Sequence, residues 1–355
     1  MLIEHGADLT IRDNHGATPL HLASQKGPLD IARMLIEHGA DVTAQDNDGS
    51  TPLHLALKME DVDVARMLIE RGADVTAQDN FGLTPLHLAL QVEDAGIARM
   101  LIERDMDMAA QDNVTLTPLH LASYGGQVDV TRVLIELGAD VTAQNWIGET
   151  PLHLASQKGQ LDISRMLIEH GADLTPRNNY GSTPLHLASQ KGQLEVVRML
   201  IEHGADLTAP DNVRLTPLHL ASYFGQVDVT RMLMECGADL TAQNNGQETP
   251  LHLASQKGQV SVTRMLIEHG ADLTAQNDDG GTPLHLVSAP PVWALVSPQK
   301  HAEVAHMLLE HGADVNARNK NGSTPFVLAL KHGLAEVMHV LVQHGADSVA
   351  HNNVN

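Results

Sequence analysis

Six residues, Thr-Pro-Leu-His-Leu-Ala, stand at Thr18–Ala23 and return at Thr51, Thr84, Thr117, Thr150, Thr183, Thr216 and Thr249, the interval between neighbours never changing. A ninth copy at Thr282 ends in Val287, and a tenth, Thr-Pro-Phe-Val-Leu-Ala, opens after a longer interval at Thr324. So short a unit cannot enclose a core of its own, and each copy must bury its apolar face on the next. The 355 residues, which would otherwise suggest two or three domains, read instead as a single array over 1–355. Within it, 1–11 is a half repeat, 12–275 holds eight repeats of equal length, and 276–317 is a repeat with a nine-residue insertion. The last stretch, 318–355, is a capping repeat set apart by His332, Met338, His339, Val342 and Gln343.

Each repeat can be built from its own residues. Thr18 is a natural helix N-cap, and Pro19 suits the first helical position, where its missing N–H costs nothing. The helix begun by Leu20, Leu22 and Ala23 ends near Gly27. Leu29, Ile31, Leu35 and Ile36 then give a second helix with one apolar stripe, and Gly39 can take the left-handed conformation that stops it. Asp30, Arg33 and Glu37 stand three and four apart, the spacing of ion pairs along a helix. Asp41–Ser50, rich in Asp, Asn and Gly, is expected to form a turn or hairpin finger.

A fixed period of this length headed by Thr-Pro-Leu-His resembles the ankyrin repeat, and the resemblance covers the whole chain. It implies an all-α fold: an ankyrin-repeat α-solenoid of helix-turn-helix units with projecting fingers in a curved stack. It also implies that fingers and the inner face of the first helices line a concave groove for partners. The positions that vary between copies are those expected to face that groove. Phe81, Val114, Ile147, Tyr180 and Val213 share one finger position, Leu83, Leu116 and Leu215 lie two residues further on, and Trp146 precedes Ile147. Tyr124, Tyr223 and Phe224 vary at the end of the first helix, as do Lys58 and Met59. Aromatics are 2% of the chain, and six of the eight fall in these places, so the twelve residues are the candidate partner-binding set.

The net charge of −22 is spread over carboxylates that recur in most repeats, such as Glu37 and Asp41. It argues against nucleic-acid phosphate as a partner. The second and third repeats, at −4 each, hold an extra acidic excess at Glu60, Asp61, Glu93 and Asp94 that would suit a protein partner with a basic patch. The lone Cys236 rules out an internal disulfide and fits a reducing compartment. No secretion signal or membrane-spanning run is present, and a monomer inside the cell, cytoplasmic with the nucleus left open, is expected.

The 22 histidines invite an enzyme or metal reading. Nine belong to the string (His21 through His285) and seven precede a Gly-Ala-Asp turn, so equivalent rings lie a repeat apart. A zinc ion needs three or four ligands within about 2.0–2.3 Å. The string histidine is expected to be a structural hydrogen-bonder tying finger to helix, and no catalytic set, metal site or cofactor is assigned. The expected function is a non-catalytic scaffold that binds a macromolecule in the groove. The alternative is the ligand-sensing C-terminal array of a truncated multidomain receptor-like protein. Residues 1–10 match 34–43 save for Leu9, as if the chain began inside a second helix, and its near-identical copies resemble fungal ankyrin arrays.

Irregular residues suggest where the array is soft. Glu60 and Glu93 replace the glycine that ends a first helix, and Thr115, Arg214 and Gln247 replace a finger glycine. The insertion in the ninth repeat, Ala289–Pro298 with Trp293, falls between helices and reads as a loop without a binding role.

Overall fold

The computed structural model describes residues 6–91, 95–104, 111–113, 115–289 and 297–347. Glu93, Asp94, Val114 and Trp293, singled out above, lie outside them, as does most of the insertion. Helices are the only regular elements among the described residues. They come as ten pairs: α1 (Pro19–Lys26) and α2 (Leu29–Glu37), α3 (Pro52–Lys58) and α4 (Val62–Glu70), α5 (Pro85–Gln91) and α6 (Ala95–Ile102), α7 (Pro118–Gly125) and α8 (Val128–Glu136), α9 (Pro151–Lys158) and α10 (Leu161–Glu169), α11 (Pro184–Lys191) and α12 (Leu194–Glu202), α13 (Pro217–Phe224) and α14 (Val227–Glu235), α15 (Pro250–Gln256) and α16 (Val260–Glu268), α17 (Pro283–Val287) and α18 (Pro298–Glu310), and α19 (Pro325–His332) and α20 (Ala335–Gln343).

These helices fall into two compact blocks, Met1–Ala155 with Gln160–Asp173 and Ser156–Gly159 with Leu174–Asn355. In the first block α1, α3, α5 and α7 form one row and α2, α4, α6, α8 and α10 a second. In the second block α11, α13, α15, α17 and α19 form one row and α12, α14, α16, α18 and α20 the other. Each core is mainly aliphatic, with Phe326 added in the second block. Leu53 and Leu68 are fully buried in the first block, as are Leu218 and Leu233 in the second.

The apolar stripe of the second helix needs correction in the first repeat. Ile31 is 41% exposed, whereas its equivalent Val64 is fully buried. The helix that carries Val64, α4, packs against α2 of the preceding repeat, whereas no helix precedes α1 among the described residues. The ion pairing expected within α2 also differs, because Glu37 meets Arg71 of the next repeat at 3.7 Å. Both groups are exposed, so the pair adds little.

The glycines behave as the pattern requires. Gly39 stops α2 at φ +89°, and the residues that replace glycine keep its backbone: Glu60 (φ 58°), Thr115 (57°), Arg214 (63°) and Gln247 (56°). Gly27 is an exception, ending α1 at φ −92°. In the lengthened repeat, Ser297 caps α18, its hydroxyl accepting from the Lys300 N–H. Pro298 of the insertion becomes the first residue of that helix.

Candidate partner-binding surface

The string threonine and histidine act as one device. Around α1 the Thr18 N–H donates to Nδ1 of His21 at 3.1 Å, closing a capping box at the helix start. An N–H can only donate, so Nδ1 carries no proton and Nε2 does. Nε2 then donates to the Ser50 carbonyl oxygen at 3.0 Å, the residue just before the next string. The same bond runs from His54 to Leu83, His87 to Leu116 and His120 to Glu149 in the first block. In the second it runs from His186 to Leu215, His219 to Glu248, His252 to Gly281 and His285 to Ser323. Each ring thus holds the base of the next finger, as the sequence suggested. Burial pushes these imidazoles below their ordinary range, to about 4 for His219 and His252. Among the described residues, the histidines before Gly-Ala-Asp take the other tautomer, as in His38, whose Nδ1 donates to the Met34 carbonyl at 2.8 Å.

The fingers are turns braced by a side chain. Oδ1 of Asp46 accepts from the N–H groups of Asp48 and Ser50 at 3.0 and 2.8 Å, and the Gly49 N–H donates to the Asp46 carbonyl. Neighbouring tips are joined by backbone bonds, Asn80 N–H to Asp48 O and Asn113 N–H to Phe81 O in the first block. In the second, Asn212 N–H bonds Tyr180 O and Asn245 N–H bonds Val213 O. Asn47 adds a second constraint to the turn at Gly16. A Cβ on Gly16 would sit 2.4 Å from Asn47 Oδ1, in addition to the left-handed φ of +76°.

On this frame the expected residues project as follows. In the first block Phe81, Tyr124 and Trp146 are 59%, 45% and 63% exposed, with Leu83 and Leu116 half-buried at the finger bases and Ile147 half-buried at the tip position of Phe81. In the second, Tyr180 and Val213 are 65% and 50% exposed on adjacent bonded tips, and Leu215 is half-buried. Phe224 is 43% exposed and stacks edge-on against half-buried Tyr223, ring centroids 5.0 Å apart. Lys58, read as a groove position, is committed inward: its Nζ donates to the buried carboxylate of Asp79 at 3.0 Å and to Ser50 Oγ at 3.1 Å.

Against known proteins, a family model described as ankyrin repeats in three copies matches residues 1–79, 76–145, 143–211, 177–244, 218–319 and 275–352. The chain belongs to the ankyrin-repeat family. The comparison with curated proteins found no match. The helix pairs are thus ankyrin repeats, and their family is in general one of protein–protein interaction modules. Among the described residues no group of three or more His, Cys, Asp and Glu is placed to hold a metal ion. No described helix is long and apolar enough to cross a membrane.

Sequence reasoning missed two residues of this ankyrin array. Lys257 places Nζ 4.4 Å from the centre of the Tyr223 ring, and Lys300 lies beside them, lining the same hollow. Lys257 looked like framework because Lys26, Lys158 and Lys191 hold the same place in other copies. The available signal was register: Lys257 stands one full repeat after Phe224, so α13 and α15 present them side by side.

Proposed function

We propose that this chain is a non-catalytic scaffold that holds a protein partner on its finger tips and first-helix ends. The observation that carries the reading is the exposure of Phe81, Tyr124, Trp146, Tyr180 and Phe224 at the places where near-identical repeats differ. Large amphipathic side chains held in water on a rigid frame favour an interface, where Tyr and Trp dominate binding energy. In the first block, exposed Glu60 adds an acidic edge that would suit a partner with a basic patch. A monomer inside the cell fits the single cysteine and the high net charge.

The test is affinity capture with the intact chain, followed by affinity measurement for the partner recovered. Trp146→Ala or Tyr223→Ala should weaken binding by about 2 kcal/mol each, and replacing exposed Glu169 on α10 should leave it unchanged. An affinity untouched by the Trp146→Ala/Tyr223→Ala pair would move the interface to the second-helix face.

A further inference from the structure

We propose that the hollow beside Tyr223 and Phe224 selects an acidic segment of the partner, seating a carboxylate between Lys257 and Lys300 and an apolar side chain on the aromatic pair. The proposal rests on the scaffold reading above and adds the chemistry of what is bound. The hollow has a volume of about 210 Å³ and is formed by the ends of α13 and α15 and the first turn of α18. Sites that enclose a whole small molecule run to about 300–1,000 Å³, so this one fits a side chain or two from a longer chain.

Its charge runs against the rest of the molecule. The protein carries −22 overall, yet the two ionisable side chains of strong charge that line the hollow, Lys257 and Lys300, are both cations. The nearest carboxylate on α18, Glu303, lines the adjoining hollow with Lys300. The Lys257 ammonium is held over the Tyr223 ring at 4.4 Å, which keeps it at the aromatic platform. The start of α18, capped by Ser297, turns the positive end of a 13-residue helix to the same place.

The platform is already in its binding shape. Tyr223 and Phe224 lock each other edge to face, and the Tyr223 carbonyl accepts from Gln259 Nε2 at 3.1 Å. Little side-chain freedom is left to lose on binding. A basic segment would bring like charge against two ammonium groups, whereas Asp or Glu next to Leu, Met or Phe would satisfy both halves of the hollow.

A random dodecapeptide library displayed on phage, panned against the full-length chain, tests this. The unaltered protein should select peptides with Asp or Glu beside an apolar residue. Those peptides should bind K257E/K300E at least tenfold more weakly, and K257E/K300E panned in turn should select Lys- or Arg-bearing peptides. Raising the salt should weaken the acidic peptides several-fold on the unaltered chain, a readout independent of how the variant folds. Peptides without acidic bias that are nonetheless lost on Tyr223→Ala/Phe224→Ala would overturn the acidic assignment and leave the groove standing. Peptides whose binding survives both double variants would overturn the groove at this hollow as well.

Discussion

Acidification from pH 7.5 to 5 should loosen this protein through its buried histidines. Burial lowers the pKa of His21, His54, His87, His120, His186, His219, His252 and His285 below the 6.5 of an open chain. Above pH 6.5 both the folded and the unfolded chain hold neutral rings, and the stability is whole. As pH falls below 6.5 the unfolded chain takes up protons that the folded one refuses, so stability drops until the folded ring also protonates. For His219 and His252, held to about 4, the loss reaches about 2 kcal/mol each at pH 5 and about 3 kcal/mol each at the acid limit. The chemistry behind it is specific, since a protonated Nδ1 can no longer accept from the Thr216 or Thr249 N–H. Urea denaturation followed by circular dichroism at pH 7.5, 6.5, 5.5 and 5 reads the effect. The hydrogen-bonded aspartates act in a lower pH range. Asp41, Asp140, Asp206 and Asp272 have pKa values lowered by hydrogen bonds from the threonine two residues on, and lose their stabilisation only as pH falls below 3.8. Equal midpoints at pH 7.5 and 5, or a decline that starts only below pH 4, would refute the reasoning.

Three further outcomes are expected. Arg214→Gly should stabilise the fold by about 1 kcal/mol, because it relieves a side chain at φ 63° by more than the unfolded chain gains in freedom; a lower melting temperature would contradict it. Ser189→Ala should also stabilise by about 1 kcal/mol, since the Ser189 hydroxyl is buried with no hydrogen-bond partner, unlike Ser288, whose hydroxyl donates to the Leu284 carbonyl at 2.8 Å. Repeats one to four should exchange amide hydrogens before repeats five to ten, given the strained helix stop at Glu60 and finger at Thr115, and, in the sequence, Glu93 in place of a first-helix glycine and Asp105 in place of the glycine that follows the other second helices. Uniform protection from the second repeat to the ninth would argue against that order.

The sequence by itself determined the helices and their caps. Thr-Pro starts each first helix, Gly39 and its kin stop the second helices except in the third repeat, where Asp105 stands instead, and a change between copies at Tyr180 or Phe224 marks a place the frame does not need. These signals are local, or repeat at a fixed interval, and a chain read along its length exposes both. Contacts between repeats were decided only in three dimensions. Glu37 turned from its own helix to Arg71, Lys58 was taken by Asp79, and Gly16 proved to be a passage for Asn47 as well as a turn. Lys257 and Lys300 came to flank one aromatic pair although more than a repeat of chain separates them. The physical reason is that a stack sets its neighbours by how whole repeats superpose. Side chains roughly a repeat apart meet or miss according to the rotation and rise between helix pairs, which no local propensity encodes.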